Sequence, residues 1–381
     1  MKIRKVTVAD LKLGMLIPWN VYGENGALLV RKGHMIASAN QIDYLVERGS
    51  FEDHDEPQGQ GQEPPSALRK LNTAYLELET LLRAIARHSV EPAPADLRRR
   101  LEAVALTIGE AVAIHADAVI ASILHHQSAA PYAVRHSVST AIVAQLLAKA
   151  RQRSPEDTLS MTLAALTMNV GMLDQQQRLQ DSRDELGTAD RAAMLAHPEL
   201  GVQLLRAAGI TDQAWLDCVL HHHENEDGSG YPLGKAGAQI PQLAKMVALA
   251  DRYCARVAER AYRKTMAPNA ALRDILLEAN ISVDGNLAAM LIRELGIYPI
   301  GTWVRLINGE IGVVSRRGLQ STTPHVESVI GPRGAPLEVF LQRDTRVELH
   351  AIREVLTSAQ VAALKAPALR MEQVWGRGAA L

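Results

Sequence analysis

Short apolar stretches bounded by glycines open the chain and predict strands over residues 1–35. Val21-Tyr22 and Ala27-Leu28-Leu29-Val30 flank Gly23-Glu24-Asn25-Gly26, where Asn and Gly tolerate positive φ, so a hairpin is expected there. A short helix is predicted over residues 40–48, closed by Gly49 at the left-handed position past its end. Next comes a segment rich in Pro, Gly and Gln (Pro57, Gly59, Gly61, Pro64, Pro65), which reads as a linker. From Leu68 to Gly296 the spacing turns helical. Leu71, Tyr75, Leu78, Leu82 and Ile85 keep a period near 3.6, as do Leu101, Val104, Ile108, Val112 and Val119, and Pro92 and Pro94 separate the two helices. Strand patterns return after Gly296. Residues 303–307, Asn308-Gly309 and residues 310–314 predict a type I′ hairpin, with further strands near 326–330 and 337–341. The residues after Ser358 predict a short Ala-rich helix and then a loose tail.

The expected fold class is mainly α, with a large helical middle between two small β-rich ends. The expected segments are a β-rich unit over 1–52, a linker over 53–66 and a helical connector over 67–130. An all-helical domain over 131–295, a β-rich unit over 296–357 and a tail over 358–381 follow. A length of 381 residues fits two or three such units at roughly 150 residues each.

Charge and composition narrow the chemistry. Lys+Arg number 41 against 42 Asp+Glu, giving a net charge of −1, so bulk electrostatic binding to nucleic acid or an anionic membrane is not expected. Aromatics make up 4%, too few for base-stacking platforms. The two cysteines, Cys218 and Cys254, exclude a disulfide framework and a Cys-based zinc site, and Cys218 reads as core. The N-terminus has no apolar signal core, and no continuous apolar run is long enough to span a bilayer. A reducing cytoplasm is the expected compartment.

The densest chemistry lies at His221-His222-His223-Glu224, followed by Asp227-Gly228-Ser229-Gly230-Tyr231-Pro232. Residues 215–220 read as a helix capped by Thr211, and the glycines and proline then force a turn. Imidazoles at a helix end that meets a stiff loop suit a metal site open on one side. His125 and His126, earlier in the chain, read as surface residues.

These residues resemble the signature of the HD-GYP family, helical metal-dependent phosphodiesterases that cleave cyclic di-GMP. Residues 132–137 around His136 resemble the family's first ligand helix, and His197-Pro198-Glu199 its next histidine segment. Ala250-Asp251-Arg252-Tyr253, then Arg260 and Arg263, resemble its last ligand and its phosphate-contact stretch. The resemblance runs over about residues 131–280. It implies metal ligation by His136, His197, His222, His223 and Asp251, and ligand contact by Gly228, Gly230, Tyr231, Pro232, Arg260 and Arg263.

One departure weighs against all these matches. The family's His-Asp-x-Gly-Lys stretch, whose Asp bridges two metals, aligns with Met168-Asn169-Val170-Gly171-Met172. Met168 offers a soft thioether to a hard ion, Asn169 a neutral carbonyl where an anionic bridge is needed, and Met172 no ammonium for a phosphate. The remaining set implies one divalent ion, Fe or Mn, on His197, His222 and His223, and no full bimetallic centre.

The leading expectation is a degenerate, catalytically impaired member that binds cyclic di-GMP or a related nucleotide, or protein partners. Two alternatives stay open. One is an active phosphodiesterase using the remaining histidines with a substitute ligand from Glu224, Asp227 or Asp174. The other is a scaffold without metal or nucleotide.

Overall fold

In the computed structural model, the described residues are 65–87, 93–125, 129–181, 187–258, 266–364 and 369–381. Within the first 53 they are 2–7, 10–12, 15, 17, 19–23, 28–30, 33–36 and 38–53. The chain divides into two compact units, Met1–Glu63 and Pro64–Leu381.

Among its described residues the first unit shows a sheet and an α-helix. Strands β1 (Lys2–Lys5), β2 (Val21–Tyr22), β3 (Leu28–Val30) and β4 (Ser50–Asp53) pair antiparallel in the order β1-β4-β2-β3, with α1 (Ala39–Arg48) between β3 and β4. Val6, Leu11, Ile17, Val21, Ile36 and Leu45 form its core. The turn predicted over 23–26 lies largely outside the described residues. Gly49 follows α1 as expected, but in extended backbone at φ −93°. Crowding explains the glycine instead: a Cβ there would stand 2.5 Å from the Leu45 carbonyl and 2.6 Å from Val21.

The second unit is built on a helical core. In α2 (Ala67–Ala86), Leu71, Tyr75, Leu78, Leu82 and Ile85 are buried as the period requires, and Ser66 caps the first turn. α3 (Leu97–Ser122) packs Leu101, Val104, Ile108 and Ala111 in the core. Its regular spacing does not persist to Val119, because His115 breaks the helix at φ −156°, ψ 84°. The His115 Nδ1 accepts the Ala118 amide at 3.3 Å and so restarts the helix as a cap would. By length and mean hydropathy alone, 1.6 over 18 residues, α3 is apolar enough to cross a membrane, as buried core helices also can be, although Glu110, His115 and Asp117 interrupt its apolar run.

α4 (Tyr132–Ala150) is buried along most of its length, with α5 (Pro155–Thr167) and α9 (Gln242–Val257) against it. α6 (Leu173–Asp181), α7 (Thr188–Ala207) and α8 (Gln213–His221) follow α5. α10 (Pro268–Glu278) and α11 (Gly285–Leu295) follow α9. The cap of α8 is Asp212, not Thr211, its carboxylate accepting the Trp215 amide at 2.9 Å.

Beyond Gly296, β5 (Trp303–Leu306), β6 (Ile311–Arg316), β7 (His325–Ile330), β8 (Pro336–Asp344) and β9 (Ile352–Val355) form an antiparallel sheet in the order β8-β7-β6-β5-β9. The predicted hairpin joins β5 and β6, but Gly309 alone of the Asn-Gly pair has positive φ, at +88°. A type I′ turn needs two such residues. The Leu306 carbonyl accepts the Gly309 amide at 3.0 Å, which fits a type I turn closed by a glycine bulge.

The tail is packed instead of loose. After α12 (Ser358–Ala363), α13 (Met371–Trp375) buries Met371 and Trp375, and the Trp375 indole N–H donates to the Ser315 carbonyl at 2.8 Å. His125 is half-buried, hydrogen-bonded at 2.6 Å to the Gly301 carbonyl and edge-on to Trp303, not a surface residue. His126 lies outside the described residues.

Candidate metal centre and ligand cavity

The site assembles where helix ends release carbonyl groups. His197 sits inside α7 immediately before Pro198. Proline has no N–H, so the Met194 carbonyl one turn earlier lacks its usual helical donor. The His197 Nδ1–H takes that place at 2.5 Å. His222 follows the last residue of α8, where carbonyls lack partners for the same geometric reason, and its Nδ1–H donates to the Val219 carbonyl at 2.7 Å.

A carbonyl only accepts, so both rings carry their proton on Nδ1 when neutral, and both Nε2 atoms present bare lone pairs. These two atoms face each other at 3.2 Å. Two lone pairs in that position repel unless a cation lies between them. Protonation is a poor remedy, because burial and then the neighbouring His222 push His197 down to about 3. Burial lowers His222 as well, and lowers His223 far below the ordinary imidazole value. Ligand atoms of His197, His222 and His223 all lie within 4.8 Å of one another. Three neutral, converging imidazoles therefore fit one metal ion.

The other two candidate ligands are turned toward each other. His136 on α4 and Asp251 on α9 meet Nε2 to Oδ1 at 2.6 Å, and both are buried. Burial alone would raise the Asp251 carboxyl. The hydrogen bond and charge of His136, reinforced by His223 and His222, outweigh it and hold the carboxyl well below the usual range. Tyr132 stacks on the His136 ring with centroids 5.6 Å apart. Asn169 lines the same cavity, whereas Met168 is wholly buried and contributes nothing to its wall. Here the carboxylate of Asp251 is engaged by His136, and Asn169 brings a neutral carboxamide to the cavity wall.

Gly171 explains how the turn bearing Asn169 comes so near. A Cβ there would stand 2.4 Å from the His197 carbonyl oxygen and 2.8 Å from the Gly201 amide. Only glycine permits this approach to α7.

The signature loop is held by Glu224, whose role the sequence reading did not identify. Its Oε1 accepts the Leu233 amide at 2.8 Å and its Oε2 the Lys235 amide at 2.9 Å. Gly230 presses on the start of this loop, and a Cβ would stand 2.4 Å from the Asn225 amide nitrogen. Gly228 takes positive φ, at +78°. Tyr231 stacks on His223 with centroids 4.6 Å apart and lines the cavity, while Pro232 continues the loop. Arg260 and Arg263 lie outside the described residues.

The proposed substitute ligands point elsewhere. Glu224 is committed to the loop amides, Asp227 accepts the Ser229 amide and hydroxyl, and Asp174 is exposed and outside the cavity wall. The cavity itself measures ≈ 220 Å³ and is also lined by Met172, Gln176 and Met194. Gln176 too was missed, since a glutamine within a run of three reads as a solvated helix face. The local signal was its place four residues after Met172, on the same side of the chain's turn into α6.

Two measurable consequences follow from these contacts. Glu224→Gln replaces one acceptor by an amide donor that faces a backbone N–H, and is expected to lower stability by about 2 kcal/mol in urea denaturation. An unchanged midpoint would contradict the loop clamp. The second concerns acid. The folded pKa of His197, about 3, lies below the ordinary unfolded value, so the unfolded chain binds more protons between those pH values. Metal-free protein is therefore expected to lose stability as pH falls through that window, by about 2 kcal/mol from His197 alone between pH 6.5 and 5. His222 and His223 act in the same direction. Chelator-treated protein denatured at the two pH values tests this, and equal stability would contradict it.

Residues 118–287 match the family model described as HD domain. The cyclic di-GMP phosphodiesterase PA4108 of Pseudomonas aeruginosa is 32% identical over 230 residues, covering 57% of this chain and 55% of that protein. The 3'3'-cGAMP-specific phosphodiesterase 3 of Vibrio cholerae is 29% identical over 170 residues, covering 44% of this chain and 36% of that protein. The chain thus spans about half or less of the length of these curated relatives. Among solved structures, the HDG"Y"P protein Bd1817 from Bdellovibrio bacteriovorus aligns with TM-score 0.48 at 16% identity, over 76% of this chain and 98% of that one. The match over residues 118–287 and the similarity to cyclic-dinucleotide phosphodiesterases support reading that segment as an HD-GYP-like HD domain.

Proposed function

We propose that this protein binds a cyclic dinucleotide beside a single divalent ion on His197, His222 and His223, and that its hydrolytic activity is lost or severely slowed. The observation that carries the reading is the 2.6 Å contact between His136 and Asp251. Those side chains are the remaining donors for a second ion, and the His136 Nε2 and Asp251 Oδ1 that would hold it engage each other, with the His136 Nδ1 left unpartnered. A two-metal centre clamps both the attacking and leaving oxygens of a phosphoryl transfer, and that clamp requires both ions. One ion held by the triad could polarise a phosphate oxygen or acidify a water, but would lack the second ion's hold on the leaving oxygen.

The chain's own residues support binding over turnover. Tyr231, stacked on His223, gives the cavity an aromatic wall, and Met172 and Met194 give it apolar ones. Asn169 adds a neutral carboxamide where a phosphodiesterase of this kind would need an anion. The relatives named above are phosphodiesterases of cyclic di-GMP and of 3'3'-cGAMP, which sets the ligand class proposed. Protein contacts are proposed as the output of such binding, and an iron or manganese ion as the metal.

The test is turnover by purified protein loaded anaerobically with Fe(II) or Mn(II), with products separated by chromatography. Binding without product is expected. Linear dinucleotide or GMP formed at a steady, metal-dependent rate would overturn the impaired reading.

A further inference from the structure

α6 carries a buried polar group with nothing to satisfy it. Gln176 is 8% exposed, lines the cavity, and its Oε1 meets no donor. Gln175 also leaves its Oε1 without a partner, but it lies off the cavity wall and its Nε2 donates to the Asp190 carbonyl at 3.0 Å, while Gln177 accepts the Tyr132 amide at 2.9 Å. A buried carboxamide left unpaired costs stability, and a methionine or leucine would fill the same helical position without that cost. The group makes sense where a ligand completes it.

The surroundings say what kind of ligand group that is. Among the described residues, no Lys or Arg lines the cavity, and its carboxylate, Asp251, is taken by His136. The polarity that the described residues offer a ligand near α6 is a neutral hydrogen-bonding group, not a charge. At ≈ 220 Å³ the space is smaller than the roughly 300–1,000 Å³ pockets that enclose whole drug-sized ligands, so it admits one part of a dinucleotide.

We infer that Gln176 reads the hydrogen-bonding edge of a purine base, its carboxamide donating and accepting together, on the α6 side of the cavity. A planar carboxamide pairs in this way with the adjacent amino donor and ring-nitrogen acceptor of adenine. Guanine offers an equivalent pair in its N1–H and O6. Gln176 is thus a specificity-determining residue of the cavity, an inference that rests on the cyclic-dinucleotide reading above.

The experiment uses full-length, metal-loaded protein and calorimetric titration with cyclic di-GMP, 3'3'-cGAMP and cyclic di-AMP. Gln176→Met keeps the volume and removes both hydrogen-bonding atoms, and Gln176→Leu serves as a second variant. Both are expected to weaken binding about ten- to a hundredfold. Metal affinity should stay unchanged, and the melting temperature of the ligand-free protein should stay level or rise. Loss confined to the guanine-bearing probes assigns the edge to guanine, and loss confined to the adenine-bearing ones assigns it to adenine. Wild-type affinity in both variants for every probe would overturn the role of Gln176 while leaving the cyclic-dinucleotide reading intact. A fall in melting temperature and metal affinity together with binding would make Gln176 structural and overturn it as well. Failure of the wild-type protein to bind any of the three would remove the reading on which the inference stands.

Discussion

His222→Ala is expected to weaken binding of Fe(II), Mn(II) or Zn(II) by more than a hundredfold in calorimetric titration. Loss of an outer partner of a metal ligand already costs about 10- to 100-fold, and this change deletes one of three inner donors. The ring is 2% exposed and its orientation is set by the Val219 carbonyl, so no rotation of a neighbour replaces it. The adjacent His221 makes the control. Its Nδ1 is bound to the Asp217 carbonyl at 2.7 Å and its Nε2 meets Lys235 at 2.8 Å, so His221→Ala should leave metal affinity unchanged. Part of the packing cost of His222→Ala is offset in metal-free protein, because the opposed lone pairs at 3.2 Å disappear with the ring. Equal affinity in wild type and His222→Ala would show that the ion, if bound, sits elsewhere.

Asn169→Asp is expected to act in the opposite direction, tightening metal binding by about a hundredfold. The side chain lines the cavity with His197 and His223, is 7% exposed, and replaces a neutral oxygen by an anionic one in a place of low effective dielectric. The metal-free variant should be less stable than wild type, since a second carboxylate then shares the cavity with Asp251. Metal-loaded and metal-free melting temperatures should therefore move apart. The number of ions should remain one, because Met168 supplies no imidazole and His136 and Asp251 still hold each other at 2.6 Å. Unchanged affinity would place Asn169 away from the ion, and two ions per chain would show that the His136–Asp251 contact opens freely.

How much of this could be read in the sequence depended on how local the cause was. The period of Leu71, Tyr75, Leu78, Leu82 and Ile85 made α2 legible, since burial on one helix face is written directly into spacing. The histidines that converge were legible for a similar reason: His222 and His223 are neighbours at a helix end, and His197 precedes a proline. The substitutions at Met168, Asn169 and Met172 needed no structure to see. What those substitutions leave behind did need one. His136 and Asp251 are 115 residues apart, and only packing of α4 on α9 turns two candidate ligands into a closed pair. Glu224 looked like a spare ligand because its two backbone partners, at Leu233 and Lys235, depend on the path of the intervening loop. Asn308-Gly309 marked the hairpin correctly but not its turn, since the same dipeptide serves both a type I′ turn and a glycine bulge. The packed tail was illegible because Met371 and Trp375 are isolated apolar residues whose burial is decided by distant segments such as Ser315.

The central expectation is one ion at the triad with the second position closed. The most direct test is the metal content of purified protein after anaerobic loading with excess Fe(II) or Mn(II) and removal of loosely bound ions, measured beside His222→Ala. One ion per chain in the wild type and none in the variant is the predicted result. Two ions per chain, or one that survives His222→Ala, would contradict it.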